Sequence, residues 1–338
     1  MKTLRAVTRL AALILPLALA AACGEGGPGG SSSPGQANVL RVGHFPNVTH
    51  AHGLIAHALS RQGKGWFEER LPGVTIEWFT YNAGPSAMEA ILAGSLDLTY
   101  VGPSPALNAH VKSQGEEIRI LAGATEGGAA LVVPGDSTLK TAADFRGRKI
   151  ATPQLGNTQD VSARAWLKAG GLNVTQTGGD AIVLPTANPD QLNLFASGGV
   201  DAVWTVEPWV SRLERESGGR ILVEEKDTIT TVLVGSAKFA GERADLARRF
   251  AAAHDELTQW IVAHPEEAQK LVTEELIAET QSGVKAELIA HCWPRLHFTS
   301  RISLEPLQAF VKAAQAAGFL KDAGDLSRLV VALPAEKP

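Results

Sequence analysis

Residues 80–109 read TYNAGPSAMEAILAGSLDLTYVGPSPALNA: a turn, an amphipathic helical pattern, a short apolar strand, and a second Gly/Pro/Ser turn that opens another helix. Ser86 and Ser104 stand at two helix starts with small residues upstream. The free N–H groups and positive dipole ends of both helices can therefore converge on one point, which suits a small anion. Each serine taken singly is equally an ordinary helix cap. Two such turns at successive strand ends favour a ligand.

Working outward, short apolar runs alternate with helical patterns: 39–42 then 51–62, 74–79 then 86–93, 96–101 then 106–113, and 118–122. This alternation predicts an α/β fold with a mainly parallel sheet covered on both faces. Ligands of such sheets bind beyond the carboxyl ends of strands, where the loops 45–49, 82–86 and 102–104 lie. A second set follows Gly127-Gly128: strands at 131–133, 149–152, 181–184 and 201–204, with helices at 158–169 and 189–196. The β-branched run 230–235 returns the chain to the first set. From Gly241 onward the pattern is helical (244–263, 266–274, 285–292, 304–317), punctuated by Pro265, Pro294 and Gly318.

Lys2, Arg5 and Arg9 precede an apolar run that ends in small residues before Cys23. The run is short and interrupted by Pro16, which marks an export signal rather than a membrane span. Cys23-Gly24 fits lipid attachment at the cysteine, although Leu19 lies one position further upstream than the usual pattern; ordinary cleavage after an Ala-x-Ala is the alternative. The following GEGGPGGSSSPGQA has no apolar face and reads as a tether. Without residues 1–22 the formal charge moves from −4 to −7, because only Lys2, Arg5 and Arg9 are lost. A mildly acidic chain without a basic block argues against nucleic acid as partner. Cys292 is the other cysteine, so no internal disulfide is expected if Cys23 carries lipid.

Gly84 and Ser86, Ala90-Ile91, Gly94, Leu96-Asp97-Leu98 and Gly102-x-x-Pro105-Ala106 together resemble the nitrate, aliphatic-sulfonate and taurine substrate-binding proteins of bacterial ABC importers. Arg41-Val42-Gly43 with Thr49-His50-Ala51, Asp144-Phe145-Arg146-Gly147-Arg148-Lys149-Ile150, Asp201-Ala202-Val203-Trp204 and Glu207-Pro208-Trp209 extend the likeness over nearly the whole mature chain. It implies a two-lobed periplasmic-binding-protein fold of type II. Two crossover segments would form the hinge, and the C-terminal helices would pack on the first lobe. The expected division is 1–22 signal, 23–37 lipidated cysteine and tether, 38–126 and 232–338 first lobe, and 127–231 second lobe. The implied partners are a small-molecule ligand, a permease and its cytoplasmic ATPase, with a membrane anchor, a monomeric state and no cofactor.

The cleft residues expected from the first lobe are Phe45, Asn47, Thr49 and His50, with Gly84, Ser86, Pro103 and Ser104. From the second lobe come Gln154, Gly156, Asn157 and Thr158, in a loop without Lys or Arg, so that neutral donors and helix ends would hold an anion. By resemblance Trp204 and Glu207 line the cleft too, Glu207 pairing with a ligand ammonium; equally, Glu207 satisfies a helix N-terminus while Trp204 and Trp209 pack as core. Phe45, Tyr81, Tyr100 and Trp204 leave an aromatic or pyrimidine ligand open, or else they are core. His44, His50, His52 and His57 raise a zinc site. On a helix starting near residue 50, however, only His50 and His57 share a face, and no acid lies inside the cluster. None of the G-x-S-x-G, H-E-x-x-H, G-x-x-x-x-G-K-[ST] or EF-hand patterns occurs, and catalysis is not expected.

Overall fold

The computed structural model describes residues 38–331, so the signal, Cys23 and tether assignments lie outside the described residues. β1 (Asn38–His44) leads through a 3-10 turn (Val48–His50) into α1 (Ala51–Arg61), followed by α2 (Trp66–Arg70), β2 (Val74–Thr80), α3 (Gly84–Leu92), β3 (Leu98–Val101), α4 (Pro103–Lys112) and β4 (Ile118–Gly127). Next come β5 (Ala129–Pro134), β6 (Lys149–Thr152), α5 (Thr158–Ala169), the short pair β7 (Val174–Thr175) and β8 (Gly178–Gly179), β9 (Ile182–Pro185), α6 (Asn188–Ala196), β10 (Ala202–Val206), α7 (Trp209–Ser217) and β11 (Gly219–Glu225). The chain returns as β12 (Ile229–Ser236), α8 (Ala237–Glu242), α9 (Ala244–Ala263), α10 (Pro265–Thr280), α11 (Ala286–Cys292), β13 (Leu296–Phe298) and α12 (Leu304–Ala316).

Two main sheets result, ordered β13-β4-β12-β3-β1-β2 and β11-β5-β10-β6-β9, with β7-β8 a separate two-stranded pair. The expectation of mainly parallel pairing needs correction. β2-β1-β3 and β10-β6-β9 are parallel, but β12 pairs antiparallel with β3 and β4, and β5 with β10 and β11. The cause is topological: β5 and β12 are the strands that enter each sheet directly from the other, so no helical crossover reverses their direction.

Both sheets are covered on both faces. In β12, Leu233 joins Leu40, Val42, Leu54, Phe250 and Leu271 on one side, while its neighbours Val232 and Val234 join Met88, Ile91, Ile120 and Phe310 on the other. Alternate residues of a strand point to opposite faces, and a strand buried on both reads as a continuous apolar run. In the second sheet Leu131, Ile150 and Trp204 pack with Leu167, and Val132, Ala151 and Val203 with Phe195 and Leu213 on the reverse face.

α9 and α10 cover the first sheet as expected. α12 departs from that expectation by touching both lobes: Leu307 and Phe310 share a cluster with Val161 of α5, and Lys168 Nζ donates to the Ala316 carbonyl at 2.6 Å. Gly127 and Gly128 make the first crossing at φ 73° and 71°. A Cβ on Gly127 would stand 2.4 Å from the Arg295 carbonyl oxygen, so only glycine fits this left-handed, crowded turn. Among the described residues no helix is long and apolar enough to cross a membrane.

Candidate functional site

Local sequence sets the site. After β2, β3, β6 and β9 the chain turns through Asn82-Ala83-Gly84, Gly102-Pro103, Gly156-Asn157-Thr158 and Asn188-Pro189, and each turn opens a helix. The turn after β1, Asn47 to His50, opens α1. Five helix starts thus face one small cavity between the sheets, lined by Phe45, Asn47, Thr49, His50, Asn82, Ala83, Gly84, Gly102, Pro105, Pro153, Asn157, Thr158, Gln159, Asn188, Val206 and Thr230. The helices α3, α4 and α6 have Ala83, Gly102 and Ala187 at the N-cap position, and none of these supplies a side-chain cap; the first N–H of α4, on Ser104, meets only Thr158 Oγ1 of the opposite lobe. α5 alone is capped, Asn157 Oδ1 accepting from Asp160 N at 2.8 Å.

The cavity is about 30 Å3, room for about two water-sized groups. It is small because the lobes touch across it. Trp209 Nε1 donates to Asn47 Oδ1 at 2.9 Å, Ser104 N to Thr158 Oγ1 at 3.4 Å, Gln154 Nε2 to Ser86 Oγ at 3.3 Å, and Val48 N to the Glu207 carbonyl at 2.9 Å. These bonds describe a closed arrangement.

No lining side chain is an acid, a lysine or an arginine. His50 is the one titratable group, and burial, reinforced by His44, holds its pKa well below the ordinary value, so the ring is neutral. Its Nδ1 is buried without a hydrogen-bond partner, and so is Ser104 Oγ in the first turn of α4. Polarity here comes from amide dipoles, hydroxyls and carboxamides, a set that can hold an anion and release it without breaking an ion pair.

Of the expected residues, Phe45, Asn47, Thr49, His50, Gly84, Asn157 and Thr158 line the cavity. Ser86 and Gln154 instead hydrogen-bond one another across the lobes, and Ser104 is buried behind the wall. Pro103 and Gly156 shape the turns without reaching the cavity. Neither Ser86 nor Ser104 is a cap, because the helices begin two residues earlier in α3 and one earlier in α4.

Trp204 packs in the second-lobe core with Leu131 and Ile150. Glu207 is fully buried and committed: it accepts from Ser211 N at 3.0 Å, Ser211 Oγ at 2.9 Å and Arg295 Nη1 at 2.7 Å. An acid already paired with a guanidinium and a helix N-terminus cannot also take a ligand ammonium without leaving one of them bare. Among the four aromatics considered for a ring-binding site, Phe45 alone lines the cavity; Tyr100 and Trp204 are core and Tyr81 packs on it.

Asn82, Gln159, Asn188, Val206 and Thr230 are lining residues that the sequence reading did not name as contacts. Asn188 had a signal, since Asn-Pro after a strand has the same strand–turn–helix form as the other turns. Thr230 had none, because its place depends on where the returning strand inserts. Cys292 is buried, and that burial pushes its thiol up, so it is held neutral and apart from the cavity.

A family model described as the NMT1-like family matches residues 33–276. A protein of Escherichia coli named for binding aliphatic sulfonates is 28% identical over 293 residues, 84% of this chain and 82% of that one. The taurine-binding periplasmic protein of Escherichia coli is 25% identical over 227 residues, 65% of this chain and 68% of that one. In structure, the alkanesulfonate-binding protein SsuA of Xanthomonas axonopodis pv. citri, bound to MOPS, superposes with a TM-score of 0.72 at 22% identity, covering 87% of this chain and 98% of that chain. That likeness establishes a shared fold.

Proposed function

This chain belongs to the NMT1-like family, and from that premise we propose that it is the extracytoplasmic binding component of an ABC importer, capturing the oxyanion end of a small organosulfonate between its lobes. The named relatives are binding proteins rather than enzymes, and the reading here is likewise capture without chemistry. The observation that carries it is the convergence of five helix starts, four of them without a side-chain cap of their own, on a cavity without a charged side chain. A sulfonate spreads one negative charge over three acceptor oxygens, and amides at helix N-termini meet such a group well.

The tail would lie against Phe45, Pro105, Pro153 and Val206, widening the cleft as the lobes part. With Glu207 held by Arg295 and no carboxylate in the lining, a sulfonate with an uncharged tail is a better match than taurine, whose ammonium would find no anion. Delivery would be to a permease with a cytoplasmic ATPase, from a protein held at the membrane through Cys23 and acting as a monomer.

The test is a thermal-shift panel of alkanesulfonates, taurine, nitrate and pyrimidines. A ligand at a hundred times its dissociation constant stabilises by about 2.7 kcal/mol, which is readily visible. Alkanesulfonates are expected to raise the melting temperature most, with taurine weaker. A response to pyrimidines alone would overturn the reading.

A further inference from the structure

Away from the interlobe cavity, the folded chain assembles a cluster that its sequence disperses. His44 ends β1, His57 lies on α1 and Glu279 on the last turn of α10. His44 Nε2 is 3.0 Å from His57 Nδ1 and 3.0 Å from Glu279 Oε1, and His57 Nδ1 is 3.2 Å from the same carboxylate oxygen. Three atoms able to act as Lewis bases therefore form a nearly equilateral triangle. Donors about 2.0–2.2 Å from a tetrahedral zinc ion lie about 3.3–3.6 Å apart, so a shift of a few tenths of an ångström opens this triangle to fit one.

We propose that His44, His57 and Glu279 bind a divalent transition-metal ion of the zinc class, with water as the fourth ligand. Imidazole and carboxylate are its usual ligands. The surrounding groups orient the three. His44 Nδ1 lies 3.4 Å from the Phe45 carbonyl, which leaves Nε2 for the ion. Thr80 Oγ1 donates to Glu279 Oε1 at 2.9 Å, and Trp78 stacks on the His57 ring. Arg61 holds Glu275 Oε1 at 2.7 Å, and that oxygen also lies 3.0 Å from His57 Nδ1, a second acid beside the triangle.

An independent observation points the same way. The Glu279 side chain is only 4% exposed, yet its Oε2 has no hydrogen-bond partner. A buried carboxylate oxygen left unpaired is costly unless a cation shares the site. His57, 16% exposed, and the surface residue Thr80 give an ion a short path in. Neither His50 nor His52 takes part: His50 stacks on Phe45 at the cavity, and His52 Nε2 bonds Thr258 Oγ1 at 2.9 Å. The pairing of His50 with His57 on one helix face therefore does not describe the cluster. The acid missing from the local sequence arrives from α10.

The experiment is a calorimetric titration of the full chain, stripped with EDTA and dialysed, with zinc chloride, alongside cobalt(II) absorption spectra. One ion per chain and the intense visible bands of tetrahedral cobalt are expected. His57→Gln and Glu279→Gln should each weaken binding at least tenfold, while His264→Gln and His297→Gln, at exposed positions, should leave it unchanged. Because the wild-type stoichiometry and cobalt spectrum are read without any variant, misfolding of a substituted chain does not shield the proposal. Absence of binding up to about 1 mM zinc, a spectrum without tetrahedral bands, or binding that survives both His57→Gln and Glu279→Gln would overturn it, leaving the cluster a proton-sharing network.

Discussion

Thr158 serves both lobes through one hydroxyl: its Oγ1 accepts from Ser104 N at 3.4 Å and it lines the cavity at the start of α5. Thr158→Val keeps the shape and removes the hydroxyl. A hydrogen bond to a charged group contributes about 1.5–3 kcal/mol, so alkanesulfonate affinity should fall about tenfold or more by calorimetry. His254 supplies a second residue-level expectation. It is buried against His52 and Tyr100, with Nε2 at 2.8 Å from the Gly123 carbonyl and Nδ1 at 3.0 Å from Tyr100 Oη, and desolvation lowers its pKa to about 4. Asp255 and the Gly123 carbonyl pull the other way and do not offset burial. An unfolded histidine titrates near 6.5, so the unfolded chain takes up the proton first. Stability from the neutral ring is therefore full above pH 6.5 and lost as pH falls from there through 4, by about 3 kcal/mol. Urea midpoints at pH 7.5 and pH 4.5 measure this; equal midpoints would contradict it. The residue scale is also where sequence reading reached least far. Glu207 stood evenly between a ligand ammonium and a helix N-terminus because Arg295, its partner, lies in a different part of the chain, and Trp204 stood evenly between cleft and core; the fold commits Glu207 to Ser211 and Arg295 and Trp204 to the second-lobe core.

Elements were far more legible, because period and punctuation are local properties. The helices 158–169 and 244–263 and the strand 149–152 match the expected limits, and Pro265 starts α10 while Gly318, at φ 80°, follows the end of α12, as their backbone preferences require. β11 escaped notice because all its residues are only partly buried and lack alternation, and β13 because three residues carry no period. The loop that opens α5 illustrates what an element needs to aim a site. Asp160 accepts from Gly156 N at 3.0 Å and Thr152 Oγ1 at 3.1 Å, and pairs with Arg164 at 3.0 Å, both side chains fully buried. Arg164→Met strands the Asp160 charge, and should cost about 3–5 kcal/mol in chemical denaturation. Retention of full stability would show that the pair does not hold the loop. Between elements, Trp209 of α7 reaches Asn47 across the cleft. Trp209→Phe leaves the cavity lining intact but removes a closed-state bond of about 1 kcal/mol, so ligand affinity should drop about fivefold. An unchanged constant would mean that this contact persists when the lobes open.

At the scale of the molecule, two α/β bodies meet over a cavity kept small by the bonds that Asn47, Ser86 and Ser104 make across it. The two-body plan was legible because strand and helix patterns occur in two sets separated by Gly127-Gly128. Insertion of β12 and β5 into the middle of each sheet was not, since pairing order depends on contacts far apart in sequence. The closed arrangement has a functional sense: a ligand that contacts both lobes binds it better than any open one, and shifts the population accordingly. The helix starts of both lobes are aligned on the cavity in that closed form. The most direct test is a calorimetric titration of the wild-type chain with a short alkanesulfonate. Saturable binding of one ligand per chain, weakened about tenfold or more by Thr158→Val, is the predicted result. Absence of heat across alkanesulfonates, or binding that Thr158→Val leaves untouched, would contradict an oxyanion held between the lobes.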